Sequence, residues 1–269
     1  MSERILLIGG STSGKSHNWI QIARLCEKMR RDTRFYVIDS DNSIMDQAES
    51  LIASGRIIHR VPYSWKDYTE AVREWLPGPH GSGLVRPSDW FIVDMMDCPW
   101  EMVQDWYVVN VLKTTMAKLN YDFQASNQKN AGKSGTDVKK RGGNPLLEHF
   151  AAGINPAYFE WQSSFLPRNP CHVLCTAPAV KVSDDDNRGF KDEQSLLNIF
   201  MAEGLKPKGQ SRMPHNFNTI QLVEQRKRGV HTITTLRERH ENRQDKKFDR
   251  EILDDYAKQY LMQRAGWRP

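Results

Sequence analysis

The strongest signal in the chain is Arg4-Ile5-Leu6-Leu7-Ile8-Gly9-Gly10-Ser11-Thr12-Ser13-Gly14-Lys15-Ser16. Residues 4–8 form a short, unbroken apolar run, the pattern of a strand covered on both faces. Residues 9–16 match G-x-x-x-x-G-K-[ST], a phosphate-binding loop. Behind them Trp19, Ile22, Ala23, Cys26 and Met29 recur at helical spacing. Strand, glycine-rich loop and helix is the context that this motif needs. Glycines let the backbone wrap so that successive N–H groups point inward, and the helix start adds partial positive charge. Gly9, Gly10, Ser11, Thr12, Ser13, Gly14, Lys15 and Ser16 are therefore the expected phosphate cradle. Lys15 can reach β- and γ-phosphates, and the Ser16 hydroxyl can ligate Mg²⁺.

Outward from the loop, strands and helices alternate. Phe35-Tyr36-Val37-Ile38 reads as a second strand ending at Asp39, and 56–61 as a third. Ser64-Trp65-Lys66-Asp67 opens a helix with a capping-box pattern, Asp standing in for the usual Glu or Gln. Trp90-Phe91-Ile92-Val93 is a buried strand ending at Asp94. A helix is expected over about 101–119, helical spacing again over 154–166, and a strand at His172–Ala177. Residues 127–144 lose all periodicity and read as a basic, mobile loop. Residues 218–223 and 230–236 alternate across a turn at 226–229, an antiparallel hairpin. A final helix is expected over about 248–263. This gives one α/β domain over 1–269: a mainly parallel sheet covered by helices, with a C-terminal antiparallel hairpin.

Two more carboxylates join the loop. A phosphate-bound metal needs an acidic residue for its water shell, and Asp94 at the end of a buried strand fits, with Asp97 as second choice. Asp39 and Asp41 fall at the carboxyl edge of the sheet, where open α/β sheets bind ligands. If the strand continues they face one way, and Asp41 is the candidate for positioning water.

These segments resemble the RecA-like P-loop ATPases, in particular small phage-encoded ATP-binding proteins of recombination and single-strand annealing. The loop at 9–16, Phe35–Asp41, Trp90–Asp94, His172–Ala177 and the Thr234–His240 end of the hairpin carry the resemblance. It implies ATP and Mg²⁺ as cofactors, ATP hydrolysis, and a carboxylate two places after the aspartate of the second strand, here Asp41. It also implies basic residues after the last strand that reach the γ-phosphate of a neighbouring subunit. Arg237 and Arg239 take that place, so a homo-oligomeric ring or filament is expected.

Charge adds a partner. The formal net charge is +5. Residues 204–250 hold 12 Lys/Arg against 5 Asp/Glu, and residues 127–144 hold 5 against one, Asp137. Basic glycine-rich segments suit phosphate backbones, so single-stranded DNA is the expected macromolecular partner. The 4 cysteines form no C-x-x-C pair and read as reduced structural thiols. The histidines show no zinc spacing, and Asp184-Asp185-Asp186 reads as an acidic turn. No apolar run reaches the length of a membrane span, and Met1-Ser2-Glu3-Arg4 leads into the first strand without a cleavage-site pattern. A cytoplasmic location follows as the expectation. Two other functions share the loop. One is a nucleotide or small-molecule kinase, with Lys139-Lys140-Arg141 as its basic lid. The other is a nucleotide-gated assembly or packaging protein with little turnover.

Overall fold

The computed structural model describes residues 2–77, 83–131, 145–146, 149–166, 169–183, 194–239 and 251–269. Its centre is a mixed sheet. Strands β1 (Arg4–Gly9), β2 (Phe35–Asp39), β3 (Ile57–Arg60), β4 (Trp90–Asp94), β5 (His172–Lys181), β6 (Leu205–Pro207), β7 (Thr219–Lys227), β8 (Val230–Glu238) and β9 (Glu251–Ile252) follow one another along the chain. In space the order is β3-β2-β4-β5-β1-β7-β8-β9, with β6 on β5. From β3 to β7 every neighbour is parallel. The pairings of β8, β9 and β6 are antiparallel. The α/β class, the mainly parallel sheet and the hairpin are as the sequence indicates.

Helices cover both faces. The helices are α1 (Lys15–Lys28), α2 (Met45–Ala53), α3 (Trp65–Trp75), α4 (Asp97–Asn110), α5 (Met116–Ala131), α6 (Asn155–Ser163) and α7 (Gln194–Glu203). Continuous apolar strands supply two cores because successive side chains point to opposite faces. Ile5, Leu7, Val37 and Ile92 meet Trp19 and Ile22 of α1, Ala48 and Leu51 of α2, and Tyr260, Leu261 and Trp267 near the C-terminus. Leu6, Ile8, Tyr36, Phe91 and Val93 meet Tyr68 and Val72 of α3, Val103 of α4, and Tyr158 and Trp161 of α6. The second core is strongly aromatic: Trp161 packs edge-on against Tyr68 and Phe165 at 5.6 and 4.8 Å. Such pairs add about 0.5–1.5 kcal/mol each beyond their buried area.

Local chemistry sets several boundaries. Ser64 caps α3, accepting from Asp67 N at 3.4 Å, and Asp67 Oδ2 accepts in return from Tyr63 N at 2.8 Å. With Asp at this place, the return bond goes to the residue before the cap. Helix α1 stops at Arg30, which is left-handed with φ 54°. Arg31 N reaches Cys26 O and Arg30 N reaches Glu27 O, the paired bonds of a Schellman ending.

The expected helix over about 101–119 is two helices. They break around Lys113, whose φ is 55°. The α5 backbone runs on to Ala131, into the segment expected to be a loop; residues 132–144 lie outside the described residues, as do Lys139, Lys140, Arg141 and Asp184–Asp186. Of the expected final helix, residues 248–250 lie outside the described residues; among the described ones, a helix of π type covers Ala257–Met262. Glu251 and Ile252 instead pair with Ile233 and Thr232. Ile252 is 60% exposed, while Leu253, Tyr256, Tyr260 and Leu261 are buried. Ile252, in phase with these core residues in the sequence, is instead a largely exposed strand residue. Among the described residues, no helix is long and apolar enough to cross a membrane. The cysteines are free thiols, and burial pushes Cys26 up to about 11.

Candidate functional site

The loop 10–14 joins β1 to α1 at the carboxyl edge of the parallel strands. Gly9, the last residue of β1, and Gly14 of the loop are dictated by space. A Cβ on Gly9 would lie 2.3 Å from the Val223 carbonyl oxygen of β7 and 2.5 Å from Ser13 Oγ. Gly14, at φ 98°, is left-handed and packs on the His231 ring of β8, 3.0 Å from where a Cβ would sit. His231 Nδ1 lies 2.6 Å from Ser13 O, so that nitrogen carries the hydrogen and donates. The Gln225 amide of β7 lies against Thr12. The hairpin therefore clasps the loop from the side. Among the described residues no side chain caps α1, and a helix start leaves its first N–H groups unpaired.

Lys15 is nearly buried, at 8% exposure. Its Nζ donates to Gly9 O at 3.1 Å and Gly10 O at 2.8 Å, folded over the loop it serves. Desolvation lowers its pKa, while the charges of Asp94, Asp97 and Asp41 act in the opposite sense. The ammonium and three of the acidic residues singled out by the sequence are thus within electrostatic reach of one another.

Asp94 ends β4 and is 1% exposed. Its Oδ2 accepts from Trp19 Nε1 at 2.9 Å, and its Oδ1 accepts from the Thr176 hydroxyl. Neither partner stands out in the sequence for chemistry. Trp19 reads as a core residue, although it lies four places after Lys15 and so on the same helix face. Thr176 is a polar side chain inside the apolar stretch that follows His172 in β5. Asp97 opens α4 and is paired with Lys208 Nζ at 3.0 Å, which also holds Glu101 at 2.8 Å.

Asp39 and Asp41 differ in burial but stay close. Strand β2 ends at Asp39, so Asp41 lies in the following turn rather than on a continuing strand, with its carboxyl within hydrogen-bonding reach of that of Asp39. Asn42 takes φ 55°, and the exposed Asp41 closes the turn by accepting from Ser43 N at 3.2 Å. An Asx-type bond is the local alternative that a short acidic side chain offers the backbone. Asp39 is fully buried, stands in register with Asp94, and accepts from Ile44 N at 3.2 Å. His59 Nε2 of β3 lies 3.2 Å from the same oxygen. Burial and the neighbouring Asp41 and Asp94 carboxyls push Asp39 up to about 7, against the opposing Ile44 N–H. Burial lowers the pKa of His59.

Arg237 and Arg239 lie at the other edge of the sheet. Strand β8 runs antiparallel to β7, so its start meets the loop and its end lies beside the start of β7, where Arg237 pairs with Ile220. The start of β8 lies beside residues 9–16, and only its C-terminal end is remote from them. Arg237 is 8% exposed. Arg239 is exposed, beyond the strand, with Nη1 donating to His215 O at 3.3 Å.

The donors near Lys15 fit a phosphate-bound Mg²⁺. Ser16 and Asp94 offer only oxygen, as this hard cation requires, and it keeps several of its waters. Each Asp94 oxygen accepts one protein hydrogen bond and retains acceptor capacity for water. The Ser13 hydroxyl oxygen is buried in the loop with no hydrogen-bond partner among the described residues. No family model matches the chain, and no curated protein matches it.

Proposed function

We propose that this protein binds ATP with Mg²⁺ through a RecA-like P-loop core and hydrolyses it while acting on single-stranded DNA in recombination or replication. The observation that carries the reading is the loop itself. It joins a doubly covered parallel strand to an uncapped helix, forbids a side chain at Gly9, needs a left-handed Gly14, and holds Lys15 between its own carbonyls. Such a loop aims N–H groups and an ammonium at phosphate oxygens. Ser16 would ligate Mg²⁺ and Asp94 would hold its water shell. The bound metal would neutralise charge developing on the transferred phosphoryl group. Asp41, at the mouth of the site, would orient the attacking water.

Edge placement supports the remaining parts. Arg226, Lys227 and Arg228 are exposed at the hairpin tip, on the same edge as the loop. That is a basic rim suited to a phosphate backbone. Exposed Arg239 at the opposite edge would meet a neighbour's loop if subunits stack head to tail, an arrangement that yields rings or filaments. Buried Arg237 is the poorer of the two for that role. The low-turnover assembly reading has one observation in its favour: Asp41 is engaged in its own turn rather than presented by a strand.

The test is phosphate release from ATP with Mg²⁺, with and without single-stranded DNA, for wild type and Asp94→Asn. Mg²⁺-dependent release that DNA stimulates and Asp94→Asn abolishes is the expected result. Tight ATP binding with release no faster than that of Lys15→Ala selects the assembly reading. Transfer to an added acceptor in place of release selects the kinase.

A further inference from the structure

Helix α1 does two jobs on one face. Lys15 and Trp19 are four residues apart and so lie one above the other. The first folds over the loop, and the second reaches under it toward the sheet. Trp19 is fully buried, and its indole N–H is its only polar group. It points at Asp94 Oδ2 at 2.9 Å, while Thr176 on the intervening strand β5 holds Oδ1. The strand order makes this possible. β5 lies between β1 and β4, so Asp94 is two strands away from the loop. A bulky donor from the covering helix and a short one from the middle strand close that distance from both sides. The two donors fix the plane of a carboxylate that has almost no contact with bulk water, leaving one acceptor direction on each oxygen.

We infer that Trp19 is a positioning residue for the metal-shell carboxylate, holding Asp94 in the one orientation from which it can take the waters of a phosphate-bound Mg²⁺. The inference rests on the P-loop reading above. Trp19 touches neither phosphate nor metal; it acts through Asp94. Removing an outer partner of a metal-shell group typically weakens the metal 10–100-fold, because the carboxylate then turns and must be reoriented on binding. The indole N–H thereby ties metal affinity to the seating of α1 on the sheet.

The experiment is calorimetric binding of a non-hydrolysable ATP analogue across a MgCl₂ series and in EDTA, for wild type, Trp19→Phe, Thr176→Val and Lys15→Ala. Trp19→Phe keeps an aromatic ring in the core and loses only the donor. Its half-saturating Mg²⁺ should rise at least ~10-fold, with affinity in EDTA within about 2-fold of wild type. Thr176→Val removes the other donor in a smaller, nearly isosteric change, and should shift the Mg²⁺ requirement the same way. It decides the matter if Trp19→Phe does not fold. Wild-type Mg²⁺ dependence in the folded variants overturns the inference. So does an equal loss with and without Mg²⁺, which marks damage to the loop. Wild type that binds the analogue no better than Lys15→Ala overturns the P-loop reading and this inference with it. Wild type that binds through Lys15 without any Mg²⁺ dependence overturns the inference alone.

Discussion

Two residues show how local physics constrains this site. Gly9 sits where a single methyl group would strike the Val223 carbonyl of the neighbouring strand. Backbone in a six-strand parallel run has nowhere to go, so Gly9→Ala should destabilise the protein by about 1–3 kcal/mol, the range for overpacked positions. Thermal unfolding of the variant, which should melt several degrees lower, measures this. Asp39 makes a pH-dependent prediction. Its folded pKa, raised to about 7, exceeds that of an unfolded aspartate near 3.9. Between these values the folded state holds a proton that the unfolded state has lost, so stability from this group falls as pH rises from about 4 to 7 and stays low above. Asp39→Asn removes that titration. The melting temperature of the variant relative to wild type should be higher at pH 8 than at pH 5. A difference that does not change with pH would mean that Asp39 titrates normally. The sequence placed Asp39 and Asp41 at the right edge, but not their different burial. Which of two nearby acids is buried depends on where β2 stops and on His59 arriving from another strand, and neither is a local property.

At the scale of elements, apolar continuity was the legible signal. The segments around Leu6, Val37, Ile92 and Leu174 are strands as read, because a doubly covered strand must be apolar on both faces. The α3 start was legible from Ser64 and Asp67 for the same local reason. Helix ends were less so. Residues 101–119 read as one helix because the break at Lys113 carries no glycine or proline. The final helix was drawn too long because Ile252 falls in phase with real core residues. Helix α1 ends in a left-handed position occupied by Arg30 rather than glycine, which strains an L-residue by roughly 1–2 kcal/mol. Arg30 is exposed, so Arg30→Gly should relieve that strain and stabilise the fold by about 1 kcal/mol, less the extra entropy of glycine in the unfolded chain. Chemical denaturation with an unchanged m-value checks it. A loss of stability would show that the Arg30 side chain has a structural role.

The whole molecule places its two polar edges on opposite ends of the parallel strands. Lys15, Asp94 and the hairpin tip share one; Arg239 and the starts of β1 and β7 share the other. Sequence alone could list these residues but could not order the strands, since the order depends on contacts between distant segments. If subunits stack edge to edge, an Arg239→Ala protein should bind ATP yet hydrolyse it slowly, and Lys15→Ala should fail to bind. Mixing the two should restore part of the turnover, because some interfaces would join an intact loop to an intact arginine. Turnover independent of protein concentration, with no rescue on mixing, would leave Arg239 as edge charge. Beneath all of this lies the claim that residues 9–16 hold the phosphates of a nucleotide. Its most direct test is calorimetric titration of wild type and Lys15→Ala with ATP and Mg²⁺, alongside circular dichroism. Wild type should bind one ATP per chain, and Lys15→Ala should lose that binding while keeping its spectrum and melting temperature. Equal ATP affinity in the two folded proteins would contradict the account.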